Sequence, residues 1–521
     1  MSKAVGIDLG TTNSVVAVID RDGAPRILTT EEGSTTMPSL VWFSPHGPKV
    51  GDAAREGLDR NPDCTIFGAK RLLGRRFDDP EIRRLGRVLP YELTEAPNGD
   101  TWIQLAGSRA VSPEEVSALI LRELRRTAER FFGEPVTRAV ITIPAWYDAA
   151  QRQATKDAAQ IAGLGVLRLL SEPTAAALGH GAHRGADRRY LVCDLGGGTF
   201  DVAAVDVDAG VFEVLATTGD AFLGGDDVDR AIVDHVVRDV RQTRGIDISD
   251  DAIAIERLRL AAQRAKHALS ETPTTTLRVP LALPSGKSSE YSRPLRRDEL
   301  ELWAAPLVKR LEPPVRDALA RAGRQREQID EVLLVGGMTR MPSVKKELAR
   351  VIGREPSAIA NPEEVVAVGA ALEVARLEGT IEGVLLIDVA ARGLSLSLPN
   401  DGAGECELVI SQSAIVPTRE LRLLATRRDE QARIEFDVWE GESPDPALNR
   451  HLSRYAVLDL PPAPAGDVLA LVEVTIDTDG VVRLGASELV SGERLTLEQL
   501  FHAGLSRAEV GRLAKSLAET A

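Results

Sequence analysis

Residues 190–201, YLVCDLGGGTFD, limit what this chain can become more than any other stretch. A short apolar run, Tyr190 to Cys193, delivers Asp194 to three consecutive glycines, Gly196, Gly197 and Gly198, and Thr199 and Asp201 follow as the chain re-enters an apolar strand. Glycine backbone, having no Cβ, can bend sharply and bring its N–H groups up to an anion that any side chain would push away. Two carboxylates beside a phosphate repel it unless a divalent cation stands between them, so Asp194 and Asp201 imply magnesium, held directly or through water. The stretch predicts a metal–nucleotide site.

A second copy strengthens that reading. Residues 5–20, VGIDLGTTNSVVAVID, repeat the grammar: an apolar strand, Asp8, a turn of Gly10, Thr11 and Thr12, and a second apolar strand. One such turn alone serves equally well as a plain hairpin. The pair predicts two related lobes facing each other across one nucleotide.

At 521 residues the chain is too long for a single core and predicts two to four domains at roughly 100 to 200 residues each. The formal charge of −15 argues against nucleic acid or an anionic membrane as partner, which leaves the basic cluster Lys70, Arg71, Arg75 and Arg76 needing a local reason. Three scattered cysteines, Cys64, Cys193 and Cys406, form neither a zinc spacing nor a disulfide framework, and a reduced, cytoplasmic setting is expected. Residue 1 is followed almost at once by a strand, without a basic-then-apolar leader, and no apolar run approaches roughly 18 residues, so neither secretion nor membrane spanning is expected.

Along the chain, Lys70 is a candidate for offsetting charge on a terminal phosphate and placing water, although Lys70 to Arg76 reads equally as a solvated helix face. Ser112 and Pro113 announce a helix, with Glu115 expected to reach back to the cap. Val116, Leu119, Ile120 and Leu124 then form an apolar stripe to pack on a sheet. Residues 138–164 read as a buried strand, a break at Pro144 and a helix carrying Arg152. Glu172 stands at a strand-to-helix junction, where it is either a dipole-stabilised helix acid or a catalytic one. Gly224 and Gly225 are a phosphate contact or only a turn. Gln263, Lys266 and His267 lie on or near one side of an amphipathic helix with Ser270 at its end, and Gly336, Gly337, Met338 and Arg340 lie between a buried strand and a helix, a place suited to ribose or adenine. Glu363 belongs to the cap of the following helix. Around residue 388 the helical period ends. Ile434, Phe436 and Val438 alternate against Glu435 and Asp437, which predicts a β-sandwich, and Ser506 with Glu509 predicts one closing helix with Val510, Leu513 and Leu517 as its apolar stripe.

Taken together, GIDLGTTNS, KRLLGRRF, VITIPAWYDAAQRQATKDA, SEPTAAAL, CDLGGGTFDV, LGGDDVD, LVGGMTRMP and VLLIDV, in that order, resemble the seventy-kilodalton heat-shock chaperone family of DnaK type, from Ala4 to about Thr520. The resemblance implies a multidomain fold: an α/β actin-like (ribonuclease H-like) two-lobed ATPase over 1–381, with lobe I at 1–187 and 363–381 and lobe II at 188–362. A linker at 382–389, an all-β sandwich at 390–503 and a truncated lid helix at 504–521 complete it. It implies ATP and Mg2+ as cofactors, with K+ as a further candidate ion.

Carried over residue by residue, Lys70, Glu172, Asp194, Thr199 and Asp201 would be catalytic, with Asp8 and Asp194 toward the metal. Gly10, Thr11, Thr12, Asn13, Gly196, Gly197, Gly198, Gly224 and Gly225 would surround the phosphates. Gln263, Lys266, His267, Ser270, Gly336, Gly337, Met338, Arg340 and Glu363 would surround the nucleoside. Leu424, Ile434 and Phe436 would line the peptide pocket, Pro144, Arg152, Leu385, Leu386 and Asp388 would relay between nucleotide and linker, and Arg168 would help dock a J-domain co-chaperone. Partners implied are unfolded or extended polypeptides, a J-domain protein and a nucleotide-exchange factor. The chain departs from the pattern at Gln263 and His267 near adenine, at Gly402 and Arg427, where the family arches over its peptide, and in having little lid. Two alternatives stay open: a scaffolding relative that binds ATP but serves one dedicated partner, and a small-molecule kinase of the same ATPase superfamily.

Overall fold

In a computed structural model, the described residues are 3–20, 22–107, 109–181, 187–249, 251–282, 288–357, 359, 361–398, 404–502 and 504–519. Two α/β units built on one plan come first. In the first unit, β1 (Lys3–Asp8) and β2 (Asn13–Ile19) form a hairpin around the first glycine turn, and β3 (Pro25–Ile27) extends it. The other side of β1 pairs in parallel with β4 (Val136–Ile143), and β4 with β5 (Gly165–Ser171). In the second unit, β6 (Arg188–Leu195), β7 (Phe200–Asp208) and β8 (Val211–Asp220) repeat the antiparallel run around the second turn, and β9 (Glu331–Val335) pairs in parallel with β6. Strands paired on both sides and covered on both faces read as near-continuous apolar runs, as β4 and β6 do.

The helices explain how the units meet. Helix α1 (Pro113–Phe132) starts as expected, with the Ser112 hydroxyl accepting the Glu115 N–H at 3.2 Å. The Glu115 carboxylate, however, turns to Arg109 rather than back to the cap, because that guanidinium offers a charged partner. Helix α2 (Ala149–Ile161) opens on a full capping box, Asp148 with Gln151. Helix α3 (Glu172–Gly179) follows β5 directly.

Helices α4 (Gly225–Arg244), α5 (Ala252–Glu271) and α6 (Pro342–Ile352) belong to the second unit, and their buried residues share a core with its strands. Helix α7 (Val365–Leu377) then returns to the first unit. It crosses α3 at backbone distance: a Cβ on Gly369 would strike the Ala175 backbone, one on Gly179 the Val365 carbonyl, and one on Gly6 of β1 the Ala371 backbone. Glycine at these crossings is required by space rather than by dihedral angle.

Residues 384–387 feed β10 (Leu385–Val389), which adds in parallel to β8 at the edge of the second sheet. The β-rich part that follows has two layers. One holds β11 (Leu394–Ser397), β12 (Glu407–Ile410), β15 (Ile434–Glu440), β16 (Arg450–Val457) and β19 (Leu497–His502). The other holds β14 (Thr418–Ala425), β17 (Leu469–Ile476) and β18 (Val482–Glu488), while the short β13 (Ile415–Val416) pairs with β10.

Helix α8 (Arg507–Glu519) is capped by Ser506 and Glu509 as expected. Its apolar stripe does not cover the β-layers. Val510, Leu513 and Leu517 join the core of the first unit, Arg122 of α1 donates to the Leu517 carbonyl at 3.1 Å, and Asn98 donates to the Gly504 carbonyl at 2.9 Å. Among the described residues no helix is long and apolar enough to cross a membrane.

Candidate functional site

The two glycine turns face each other. A Cβ on Gly197 would run into the Thr12 hydroxyl, and one on Gly198 would sit 2.6 Å from the Thr11 methyl. Each turn is braced from behind. Ser39 donates to the Gly10 carbonyl at 2.7 Å, and Ser14 accepts the Gly10 N–H at 3.2 Å. On the other side the N-terminus of α4 is docked under the triple glycine, with the Gly225 N–H on the Gly196 carbonyl at 3.1 Å and the Asp226 N–H on the Gly197 carbonyl at 2.8 Å. Gly225 borders the cleft, while Gly224 and Gly198 lie behind it; Gly224 has no room for a Cβ against Gly197 and Gly198.

Four carboxylates and one ammonium form the floor between the turns. Asp8 accepts the Thr142 hydroxyl at 2.9 Å, and Asp201 accepts the Ala145 N–H at 2.8 Å with its other oxygen unpaired and buried. Lys70 forms a buried ion pair with Glu172. Burial, then the Glu172 carboxylate, pushes Asp8 up to about 7 and Asp201 up to about 8; the same two causes raise Asp194 well above the carboxylate range. Burial acts to lower the Lys70 ammonium, yet Glu172, Asp8 and Asp201 together hold it above its ordinary value. Such a floor is short of positive charge.

No three His, Cys, Asp or Glu side chains among the described residues form a ready-made set of metal ligands. One or two carboxylates with water and phosphate oxygens is nevertheless what magnesium takes, and an excess of buried carboxylate beside the unpaired Thr12 hydroxyl fits such an ion. Asp8 and Asp194 both border the cleft, whereas Asp201 stands behind Thr199, whose side chain it engages.

The far end of the cleft is lined by Gln263, His267 and Ser270 of α5, by Gly336, Gly337 and Met338 after β9, and by Glu363. Gly336 has φ +82 and donates to the Pro362 carbonyl at 2.9 Å, a bend that a side chain would strain. Burial, then Lys266 and Arg340, lowers the His267 pKa and keeps the imidazole neutral. Lys266 itself is tied inward, to Asp229 at 2.9 Å and the Gly225 carbonyl at 2.8 Å. Arg340 faces out beside Glu363 at 3.7 Å and does not border the cleft. Asn13, Gly10, Thr11 and Thr12 line the end of the cleft between the two glycine turns.

Sequence reasoning placed Arg71 only within a basic cluster and gave no role to it or to its partner Asp227. The Arg71 guanidinium donates to the Gly198 carbonyl at 2.7 Å and pairs with Asp227 at 2.8 Å, which in turn accepts the Gly224 N–H. That is the local reason for the basic cluster: Arg71 clamps the triple-glycine turn, Arg75 lies over Phe222, and Arg76 donates to the Asn98 carbonyl. Asp229, the counter-ion of Lys266, was equally unremarked; the run of acids in LGGDDVD was the available signal.

Arg152 joins the first unit to the β-layers. It donates to the carbonyls of Tyr147 at 2.9 Å, Ala145 at 3.3 Å and Asp479 at 2.9 Å, and it faces Asp388. The Asp479 carboxylate accepts the Leu169 N–H at 2.9 Å and pairs with Lys156. Pro144 ends β4 just ahead of this junction. Arg450 pairs with Asp148 and donates to the Gly74 carbonyl at 2.6 Å. In β10, Leu386 is buried while Leu385 remains exposed.

Three expectations are corrected. Arg168 is turned inward onto Glu373 at 3.0 Å, because β5 is covered by α7, and it presents no docking surface here. Leu424, Ile434 and Phe436 are buried in the β-rich core, with Tyr455 stacked 5.8 Å from Phe436, so they fill the interior rather than line an open pocket. Asp437, expected on the outer face by alternation, is buried between Arg454 at 2.7 Å and His451 at 2.8 Å. Arg427 is exposed, and Gly402 lies outside the described residues.

The family model described as Hsp70 protein matches residues 4–521.

Proposed function

The chain belongs to the Hsp70 family, a family of chaperone ATPases, and from that premise we propose that it binds and hydrolyses ATP to control the hold of its β-sandwich on unfolded polypeptide. In this reading residues 1–381 are an actin-like ATPase of two lobes, 382–389 a linker, 390–503 the substrate domain and 504–521 a lid helix. One observation carries it: two glycine turns face each other over four carboxylates and one lysine, with the Thr12 hydroxyl buried and unpaired between them.

The backbone N–H of Gly197 and the hydroxyls of Thr11, Thr12 and Thr199 would take the phosphates, with Gly10 and Gly196 keeping their own turns closed through Ser14 and the Thr199 carbonyl. Water attacks the terminal phosphorus in line as the bond to the ADP oxygen breaks. Glu172, Asp194 and Asp201 would orient that water, and Lys70 would offset the charge that develops. Asp8 and Asp194 would hold magnesium, which when bound neutralises charge on the phosphate oxygens. ATP touches both turns, so it favours the closed arrangement of lobes, and hydrolysis weakens that preference. Strand β10, seated on the edge of the second sheet, would sense the change and pass it to the β-layers through Asp388, Arg152 and Asp479. A J-domain protein and a nucleotide-exchange factor are the partners this cycle calls for, in a cytoplasmic setting.

Two features favour a second reading, an ATP-binding relative that serves one dedicated partner. The expected pocket residues are packed into their own core, and α8 lies on the first unit rather than over the sandwich.

Calorimetry with ATP and magnesium tests the proposal; absence of uptake by folded protein ends it. A fluorescent apolar heptapeptide then separates the two readings. Weak binding with fast release, little changed by nucleotide, fits a sandwich that α8 does not cover, whereas slow release accelerated by ATP supports a general chaperone. Capture with the Thr199→Ala variant from native extract would identify a dedicated partner.

A further inference from the structure

A second cleft, on the opposite side of the phosphate turn from the nucleotide cleft, has a volume of about 730 Å3, within the range of small-molecule sites, roughly 300 to 1,000 Å3. It opens between the two α/β units. Leu85 and Leu89 at one wall are partly buried residues at the edge of the first core, and Val233, Val237 and Ile255 at the other belong to the margin of the second. Apolar side chains from two separate cores therefore face one another across a space that neither core fills.

The charge on this cleft is opposite in sign to the chain as a whole. Five arginines and four carboxylates line it, in a protein of net charge −15. Arg71 pairs with Asp227, Arg230 with Asp234, and Arg259 with Glu256. Asp226 lies near both Arg71 and Arg259. Arg87 on the first unit and Arg238 on the second have no carboxylate partner among the described residues, and both are exposed at the rim. An apolar floor with two unopposed guanidinium groups, one on each wall, fits a molecule with an apolar body and an anionic head.

We propose that this cleft binds an amphipathic organic anion of small-molecule size, its apolar body on Leu85, Leu89, Val233, Val237 and Ile255 and its anionic group between Arg87 and Arg238. Such a ligand touches both units. It also abuts Arg71 and Asp227, which hold the Gly198 and Gly224 backbone, so occupancy would bear on the phosphate turn from behind. The proposal rests on the cleft itself and does not require ATP binding.

The probe is anilinonaphthalenesulfonate, an aromatic body with one sulfonate, titrated by fluorescence into the full chain without nucleotide. Saturable binding is expected, weakened at least tenfold by Val237→Asp and about fivefold by the milder Arg87→Gln combined with Arg238→Gln. Val490→Asp, on an exposed valine of the β-rich part, is expected to leave it unchanged. Melting temperatures near wild type for the arginine variants show that any loss is not unfolding. Equal affinity in wild type and the arginine double variant, or loss caused by Val490→Asp instead, overturns the proposal. So does equal affinity for the uncharged parent without its sulfonate.

Discussion

The cleft between the glycine turns and the β15 core of the β-layers treat their buried groups differently, although one Glu440 oxygen at the end of β15 also lacks a hydrogen-bond partner. In the cleft, Asp8, Glu172, Asp194 and Asp201 share one ammonium, and polar atoms of Thr12 and Asp201 have no partner. In the β-layers, Asp437 is matched by Arg454 and His451, the Trp439 indole donates to Ser397 at 2.7 Å, and Phe436 is sealed under Tyr455. Unsatisfied buried polar groups cost free energy that folding alone does not return, so the cleft is shaped for something that arrives later. The core residues of β15, by contrast, find their partners within the β-layers.

The widest margin for breaking that contrast is at Phe436. As core, Phe436→Ala should cost about 3 to 5 kcal/mol and lower the melting temperature of the β-rich part, followed by calorimetric scanning. A stable variant with weakened peptide affinity would instead make Phe436 a pocket wall. Next is Lys70→Ala, expected to leave ATP binding in place but to slow hydrolysis by about 100- to 1,000-fold in single turnover, as for loss of one preorganised charge. A wild-type rate would strip Lys70 of its role.

Smaller effects test the junction between the two regions. Asp479→Ala removes the acceptor for the Leu169 N–H and the partner of Lys156, at about 1 to 3 kcal/mol. It should loosen the β-layers from the first unit and speed proteolysis near Leu385. The smallest effect is expected at Glu114 in the first turn of α1. Burial raises this carboxyl from 4.5 to about 7, so the folded state holds a proton that the unfolded chain gives up. Its stabilising contribution is present below pH 4.5 and lost as pH rises through about 7. Glu114→Gln should therefore gain melting temperature relative to wild type between pH 5 and pH 8, and a constant difference across that range would contradict the shift.

Local chemistry was legible in the sequence wherever neighbours along the chain decide it. The Ser112 cap, the Ser506 and Glu509 box and the glycine turns each depend on a few adjacent residues, and they stand as read. Alternation in β15 correctly put Ile434, Phe436 and Val438 on one face. It carries no information about what covers that face, and so an open pocket was expected where a filled core exists. Arg71, Asp229 and Arg168 illustrate the same limit: each takes its meaning from a residue 37 to 205 positions away. Likewise, the amphipathic stripe of α8 announces that the helix must pack but not that α1 and α2 are its partners.

The return of α7 onto β1 has a consequence for biosynthesis. The β1–β2 hairpin leaves the ribosome some 350 residues ahead of the helix that seals it, an interval of roughly 20 to 70 s at ~5–20 residues per second. Throughout that time Val15, Ala17 and the small-residue seat at Gly6 stay uncovered, and one face of the second sheet waits for the same helix, since Val192, Ala203 and Leu333 share a core with Val366 and Ala370 of α7. The nascent hairpin is thus a pair of exposed apolar strands, and a member of a chaperone family would itself pass through a long period of needing assistance.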